Sequence, residues 1–102
     1  MYLERHKISD GSLVGAAVAL PTAVAAANRR LTIAGTAQSE GALSLSLDRK
    51  YLIMTGYDAD VGTKTVATSA SAAVNRVIGV IDSNNAIDTS TAADYLTGVA
   101  IR

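Results

Sequence analysis

The chain has 102 residues, with nine basic and nine acidic side chains and one histidine, so its formal net charge is zero. Zero charge without a basic cluster excludes the electrostatic footprint of a nucleic-acid binder. The absence of cysteine excludes disulfides, thiolate nucleophiles and cysteine metal sites.

The length fits one small domain, residues 1–102, or a fragment of a larger protein. The single histidine leaves no multi-histidine metal site, and a Ser–His–Asp triad only through His6. Apolar residues make up 49% of the chain but aromatic residues only 4%, all of them tyrosine. Alanine supplies much of that apolar share and buries little area. At about 25 cal/mol per Å² such a core is a thin source of stability, and a chain this short buries only about 60–70% of its unfolded surface. A domain of this kind is expected to lean on neighbouring protein, either the rest of a longer chain or another copy. Residues 1–7 are charged, with no apolar run and cleavage site behind them, so no signal peptide is expected. Residues 13–27 are apolar, but Gly15, Pro21 and Thr22 interrupt them and they fall short of the ~20 residues of a membrane span.

In chain order, residues 2–8 and 13–20 flank Ser9-Asp10-Gly11-Ser12, a hairpin signal because Asp and Gly both tolerate positive φ. Pro21 ends the second strand. Residues 22–30 are alanine-rich, which favours helix, yet the run is short for a stable one. A loop is expected there, with a single helical turn as the alternative. Residues 31–34 read as a short strand closed by Gly35, and residues 36–41 as a loop. Leu43, Leu45 and Leu47 alternate with Ser44 and Ser46, which places three leucines on one face of a strand. That face is expected to meet the core, so that Leu45→Asp would bury a charge.

Asp48-Arg49-Lys50 forms a polar turn, and residues 51–57 return as a strand with Leu52, Met54 and Gly56 on one face. Residues 57–71 are a long polar loop with room for one short strand around Val66. Val and Ile dominate residues 74–81, a buried strand. Ser83-Asn84-Asn85 makes the next turn, residues 86–91 return, residues 92–94 form a loop, and residues 96–101 are expected to open one more strand. The fold class is therefore all-β, built of short antiparallel strands and hairpins at a spacing that suits a sandwich, barrel or propeller blade.

The run from Ser39 to Leu52 has the form S-E-G-x-L-x-L-S-x-D-x-x-Y-L, followed by Gly56-Tyr57-Asp58-Ala59. It resembles the inner two strands of a blade in a group of largely uncharacterised bacterial secreted β-propeller proteins. Residues 74–82 and 87–91 are similar to the outer two strands of that blade, and residues 2–21 to the outer hairpin of a preceding one. Arg49-Lys50 departs from the small glycine-containing turn usual there. The resemblance implies a β-propeller-blade-like module of about one and a half blades, where a closed ring takes four to eight. It also implies an extracellular or periplasmic location. Completion by self-association through unpaired edge strands is expected.

The candidate binding residues are Glu40, Tyr57, Asp58, Asp60 and Arg76. The resemblance implies that Glu40 lies near the central opening of a propeller, where ligands bind; the structural alternative is a carboxylate bonded to nearby backbone donors. Asp58 and Asp60 sit in one loop, either as metal-facing carboxylates or as a solvated turn, and a calcium site would need six to eight converging oxygens. Arg76 interrupts an apolar strand and must find partners or solvent; a salt bridge or bonds to loop carbonyls is expected. Tyr51 and Tyr57 are expected to pack in the core, Arg29-Arg30 to be a solvated pair, and His6 to lie on an exposed edge rather than act as a base. Asp82, Asn84 and Asp88 belong to a turn. No catalytic residue, metal or cofactor is expected, nor a nucleic-acid or membrane partner. The reading is a non-enzymatic binding or structural module that self-associates, the alternative being a small virion or surface-assembly subunit of the decoration type.

Overall fold

The computed structural model describes residues 1–101. Among these residues six strands run in chain order: β1 (Tyr2–Leu3), β2 (Val18–Ala19), β3 (Ser44–Leu45), β4 (Tyr51–Tyr57), β5 (Arg76–Asp82) and β6 (Ile87–Ala93), with one 3-10 turn, Val66–Thr68, between β4 and β5. β1 and β2 pair as a small antiparallel hairpin, and β3-β4-β5-β6 form a four-stranded sheet in sequence order. The fold is all-β with short antiparallel strands. An antiparallel four-stranded meander is also the architecture of a propeller blade.

Two turns set the register of the large sheet. After β5, the Asp82 carboxylate accepts from the amides of Asn84 (2.8 Å) and Ala86 (2.9 Å). Asn85 takes the left-handed conformation at φ 65°, which asparagine tolerates better than most residues. Between β3 and β4, the Ser46 hydroxyl and Asp48 carboxylate both accept from the Lys50 amide, at 3.2 Å each. These turns put Leu45 opposite Leu52 and Ile81 opposite Ile87, and in the β4–β5 ladder Leu52 lies opposite Ile81, Met54 opposite Gly79 and Gly56 opposite Val77. Directly opposed residues share a face. The front face therefore carries Leu52, Met54 and Gly56 from β4 with Val77, Gly79 and Ile81 from β5, and the back face carries Ile53, Thr55, Tyr57, Arg76, Ile78 and Val80.

The main core lies on the front face. Leu20, Leu31, Met54, Val77 and Ile81 are buried there, with Met1, Leu3, Leu52, Ile87 and Ala92 packed around them. Leu31 is the key side chain, fully buried over two glycines. A Cβ on Gly79 would meet its Cδ2 at 2.6 Å, and a Cβ on Gly56 would meet its Cδ1 at 2.8 Å and the Thr32 carbonyl oxygen at 2.6 Å. Thr32 then bridges to the end of β4, where the amides of Thr32 and Tyr57 exchange bonds with each other's carbonyls (3.1 and 2.9 Å).

The outer edge of β6 is covered at its centre. The β5–β6 register shifts between Ile78 and Val80, a bulge at Thr89. The bulge leaves the Thr89 backbone without ladder partners, and residues 28–29 supply them. The Thr89 amide donates to Asn28 Oδ1 (2.8 Å), its carbonyl accepts from the Arg29 amide (3.3 Å), and its hydroxyl donates to the Arg29 carbonyl (2.7 Å).

Several expectations are corrected. Leu43, Leu45 and Leu47 are 47, 55 and 104% exposed, so their shared face meets no core. They lie at the sheet's edge, where the small hairpin reaches only as far as a shallow cavity that Leu3 and Arg5 line together with Leu45. That hairpin is looser than expected: each strand pairs over two residues, with one further bridge from His6 to Leu13. Only Gly11 of the Asp-Gly pair adopts positive φ. Residues 31–34 form a single bridge at Thr32 rather than a strand. Residues 22–30 are a loop, as expected, with a tight turn that brings Ala25 opposite Asn28. The segment around Val66 is a 3-10 turn, Ala92 and Ala93 belong to β6, and residues 96–101 form turns instead of a strand. Tyr51 is 41% exposed, whereas Tyr57 is buried as expected.

Candidate functional site

Tyr57 and Arg76 face each other across the end of β4 and β5, and both are 0% exposed. A second cluster closes over them, built from Tyr57, Ala59, Val66 and Ile101 with Ala34, Ala67 and Val74 around it. The Arg76 guanidinium sits 5.1 Å from the centroid of the Tyr57 ring, within the range of cation–π attraction. Its two terminal nitrogens donate to the carbonyls of Val74 (2.7 Å), Leu96 (2.9 Å) and Ser69 (3.1 Å), with longer contacts to Val99 (3.4 Å) and Ala67 (3.5 Å). Burying a charge among dipoles rather than beside a carboxylate is tolerable because each carbonyl oxygen points its negative end inward. Bonding to loop carbonyls is one of the two roles expected of Arg76.

Glu40 and Tyr57 are also joined. The phenol donates to Glu40 Oε1 (2.7 Å) and accepts from the Ile101 amide (3.0 Å), while Glu40 Oε2 accepts from the Ala34 amide (2.7 Å). Burial first, and the bond to Glu40 second, push the Tyr57 phenol above its ordinary value of 10.0. Here Glu40 bonds a backbone donor, the structural alternative for this carboxylate. Among the candidate residues, Glu40, Tyr57 and Arg76 thus form one internal knot that ties residues 66–74 and 94–101 onto the back of the sheet.

Asp58 and Asp60 belong to a different cluster. Asp58 is only 9% exposed and pairs with Arg30 Nε (2.8 Å) and Arg29 Nη1 (3.5 Å), while the exposed Asp60 takes Arg30 Nη1 (2.8 Å). The bond to Asp58, then that to Asp60, raises the Arg30 pKa further above its already high ordinary value. Arg30 is therefore not simply solvated, whereas Arg29 keeps an exposed side chain as expected. The Arg30 guanidinium meets the carboxylates that the bridge from Thr32 to Tyr57 carries alongside, a contact across 28 residues of sequence. Asp58 and Asp60 are spent on this pairing, and among the described residues no group of three or more His, Cys, Asp or Glu could hold a metal ion.

Above the knot lies an open cleft of about 470 Å³ between residues 32–36 and residues 60–68. Asp60 forms part of its wall, and Gly62 (φ 87°) and Thr65 (φ 54°) shape its lip. A β-branched residue in the left-handed region is an outlier that the surroundings must hold in place. Here the buried Val66 and the Ser69 hydroxyl, bonded to the Val66 carbonyl at 2.6 Å, anchor the turn that follows. The hydroxyls of Thr32, Thr63, Thr65 and Thr68 all donate to backbone carbonyls of their own or neighbouring loops. Their protons are thereby engaged within the protein, and Lys64 adds one cation to the lining.

Of the five candidate residues only Asp60 reaches this cleft. Thr63, Thr65, Thr68 and Lys64 were legible in the sequence only as part of a long polar loop, and Thr32 as part of a short strand. His6 lies on an exposed edge, as expected, and its ring contacts the Gly11 carbonyl oxygen (2.8 Å) and Glu4 (3.1 Å), which together raise its pKa above 6.5. Among the described residues no helix is long and apolar enough to cross a membrane. Compared with known proteins, the chain matches no family model, no curated relative and no solved structure.

Proposed function

We propose that this chain is a non-enzymatic, β-propeller-like binding and structural module that associates with copies of itself through its sheet edges and works in an extracellular or periplasmic setting. The observation that carries the reading is the β3 edge. It is a terminal strand of the large sheet, Leu45 stands exposed on it, and the exposed Leu43 and Leu47 flank it. An apolar, unpaired edge is a template for another strand. The commitment of Glu40, Asp58 and Arg76 to internal bonds supports a structural rather than catalytic role for them. The cleft at residues 60–68 is the surface this module presents to a ligand.

Light scattering coupled to size exclusion, over a series of protein concentrations, tests the reading. The mass is expected to rise toward twice that of one chain; a single-chain mass throughout overturns it. The two-sheet arrangement, with the first hairpin closed by Pro21, favours one second reading, a small virion or surface-assembly subunit. That subunit would use the same edge.

A further inference from the structure

The two edges of the large sheet are treated differently. The outer edge of β6 carries the charged Asp88, and residues 28–29 occupy the Thr89 backbone at its centre. The segment Ala42-Leu43-Ser44-Leu45-Ser46 at the β3 edge contains no charge and no proline, the two devices that commonly blunt an exposed edge. Every one of those residues except Ser46 is exposed.

The direction of its backbone groups follows from one bond. The Ser46 amide donates to the Tyr51 carbonyl (2.9 Å), and Ser44 lies opposite Ile53. Successive residues of an antiparallel strand point their amides and carbonyls to opposite sides. Ser44 and Ser46 therefore turn theirs toward β4, and Leu43 and Leu45 turn theirs outward. The extended segment is bounded by Gly41, at φ 79°, and by the turn that begins at Leu47. Its midpoint is Ser44.

We infer that two copies of this chain join their β3 edges antiparallel about a two-fold axis through Ser44, a deduction that rests on the self-association proposed above. In this register Leu43 lies opposite Leu45 of the partner subunit, and Ser44 lies opposite Ser44 of the partner subunit. The outward groups of Leu43 and Leu45 then form about four main-chain hydrogen bonds between copies. The leucines of both copies lie on the front face. There they extend the cross-strand row of Leu45, Leu52, Ile81 and Ile87 that already spans the sheet. A second copy suits this edge because an uncharged segment is its own complement and a chain of zero net charge does not repel its copies. The segment is short against the ~800 Å² per partner of an ordinary stable interface, so the pair is reversible and its population rises with concentration.

Because the chain has no cysteine, single cysteine variants map the axis. A non-hydrogen-bonded antiparallel pair has Cα atoms about 4.5 Å apart, within the ~4.4–6.8 Å window of a disulfide. Ser44→Cys, incubated with oxidised glutathione, is expected to yield a covalent dimer on a non-reducing gel. Leu47→Cys, the more exposed position, is six residues from its own counterpart along the strand, about 20 Å, and is expected to stay largely monomeric. A mixture of Leu43→Cys and Leu45→Cys is expected to cross-link more than either alone. Leu45→Pro removes an outward amide without touching the β3–β4 ladder, and is expected to abolish association with the circular dichroism spectrum unchanged. Equal cross-linking at positions 44 and 47, or none at 44, overturns the axis. If the unmodified chain nevertheless gains mass with concentration, self-association stands by another surface; if its mass never rises, both fall.

Discussion

Replacing Arg76 by methionine keeps the length and volume of the side-chain stem and removes every donor. The three shortest guanidinium bonds reach the carbonyls of Val74, Leu96 and Ser69 at 2.7, 2.9 and 3.1 Å. Bonds from a charged donor contribute about 1.5–3 kcal/mol each, so the gross loss is about 5–9 kcal/mol. Against it stands the desolvation of a buried charge, several kcal/mol, which the methionine variant no longer incurs. The net expectation is a destabilisation of about 2–4 kcal/mol, a large share of the ~5–15 kcal/mol that holds a domain together. Urea denaturation followed by circular dichroism reads it as a lowered midpoint at unchanged slope. Protein concentration must be matched, since association shifts apparent stability. Arg76→Lys is expected to fall between, because one ammonium cannot span carbonyls from residues 69, 74 and 96. A methionine variant with an unmoved or raised midpoint would refute the reasoning, showing that the cost of burying the guanidinium exceeds what its bonds return.

Gly79→Ala places a Cβ 2.6 Å from Leu31 Cδ2 and is expected to cost about 1–3 kcal/mol by overpacking, read in the same urea titration. Gly56→Ala should cost more, since its Cβ also meets the unyielding Thr32 carbonyl oxygen at 2.6 Å. Leu45→Asp, at a side chain 55% exposed, is expected to change single-chain stability by no more than about 0.5 kcal/mol while suppressing dimers in light scattering. Because the folded-state pKa of Tyr57 lies above 10.0, its contribution to stability is whole below that value and is lost as pH rises through the folded-state pKa. Thermal melts at increasing alkalinity should therefore fall for the native chain, and Tyr57→Phe should remove that part of the decline.

The strands that were easiest to read are those whose chemistry is local. Tyr51–Tyr57 begins and ends where its turns place it, and β-branched residues mark Arg76–Asp82. The turn at residues 83–85 follows from a carboxylate and an asparagine within four residues of each other. Alternation at Leu43, Leu45 and Leu47 predicts a shared face, but only Ser44–Leu45 forms a strand and a turn begins at Leu47, and period two carries no information on whether such a face is covered. The cover comes from residues 1–20 together with Leu31, and its extent is a tertiary fact. Likewise Arg30 meets Asp58 and Asp60 only because Leu31 and Thr32 dock on the end of β4, which no spacing along the chain reveals. The wall of the cleft was legible as a polar loop; its shape depends on Thr65 in a conformation that its residue type disfavours.

The seating of Leu31 over Gly56 and Gly79 makes three positions, far apart along the chain, share one fixed volume. A methyl group gained at Gly79 must be given up at residue 31, so tolerated variants there are those that change in concert. A valine or alanine at 31 would open the room for alanine at 79, while position 56, set against a main-chain oxygen, would stay glycine whatever its neighbours became. Divergence in this chain is thereby channelled: the surface threonines are free to drift one at a time, whereas residues 31 and 79 admit only exchanges and residue 56 admits none.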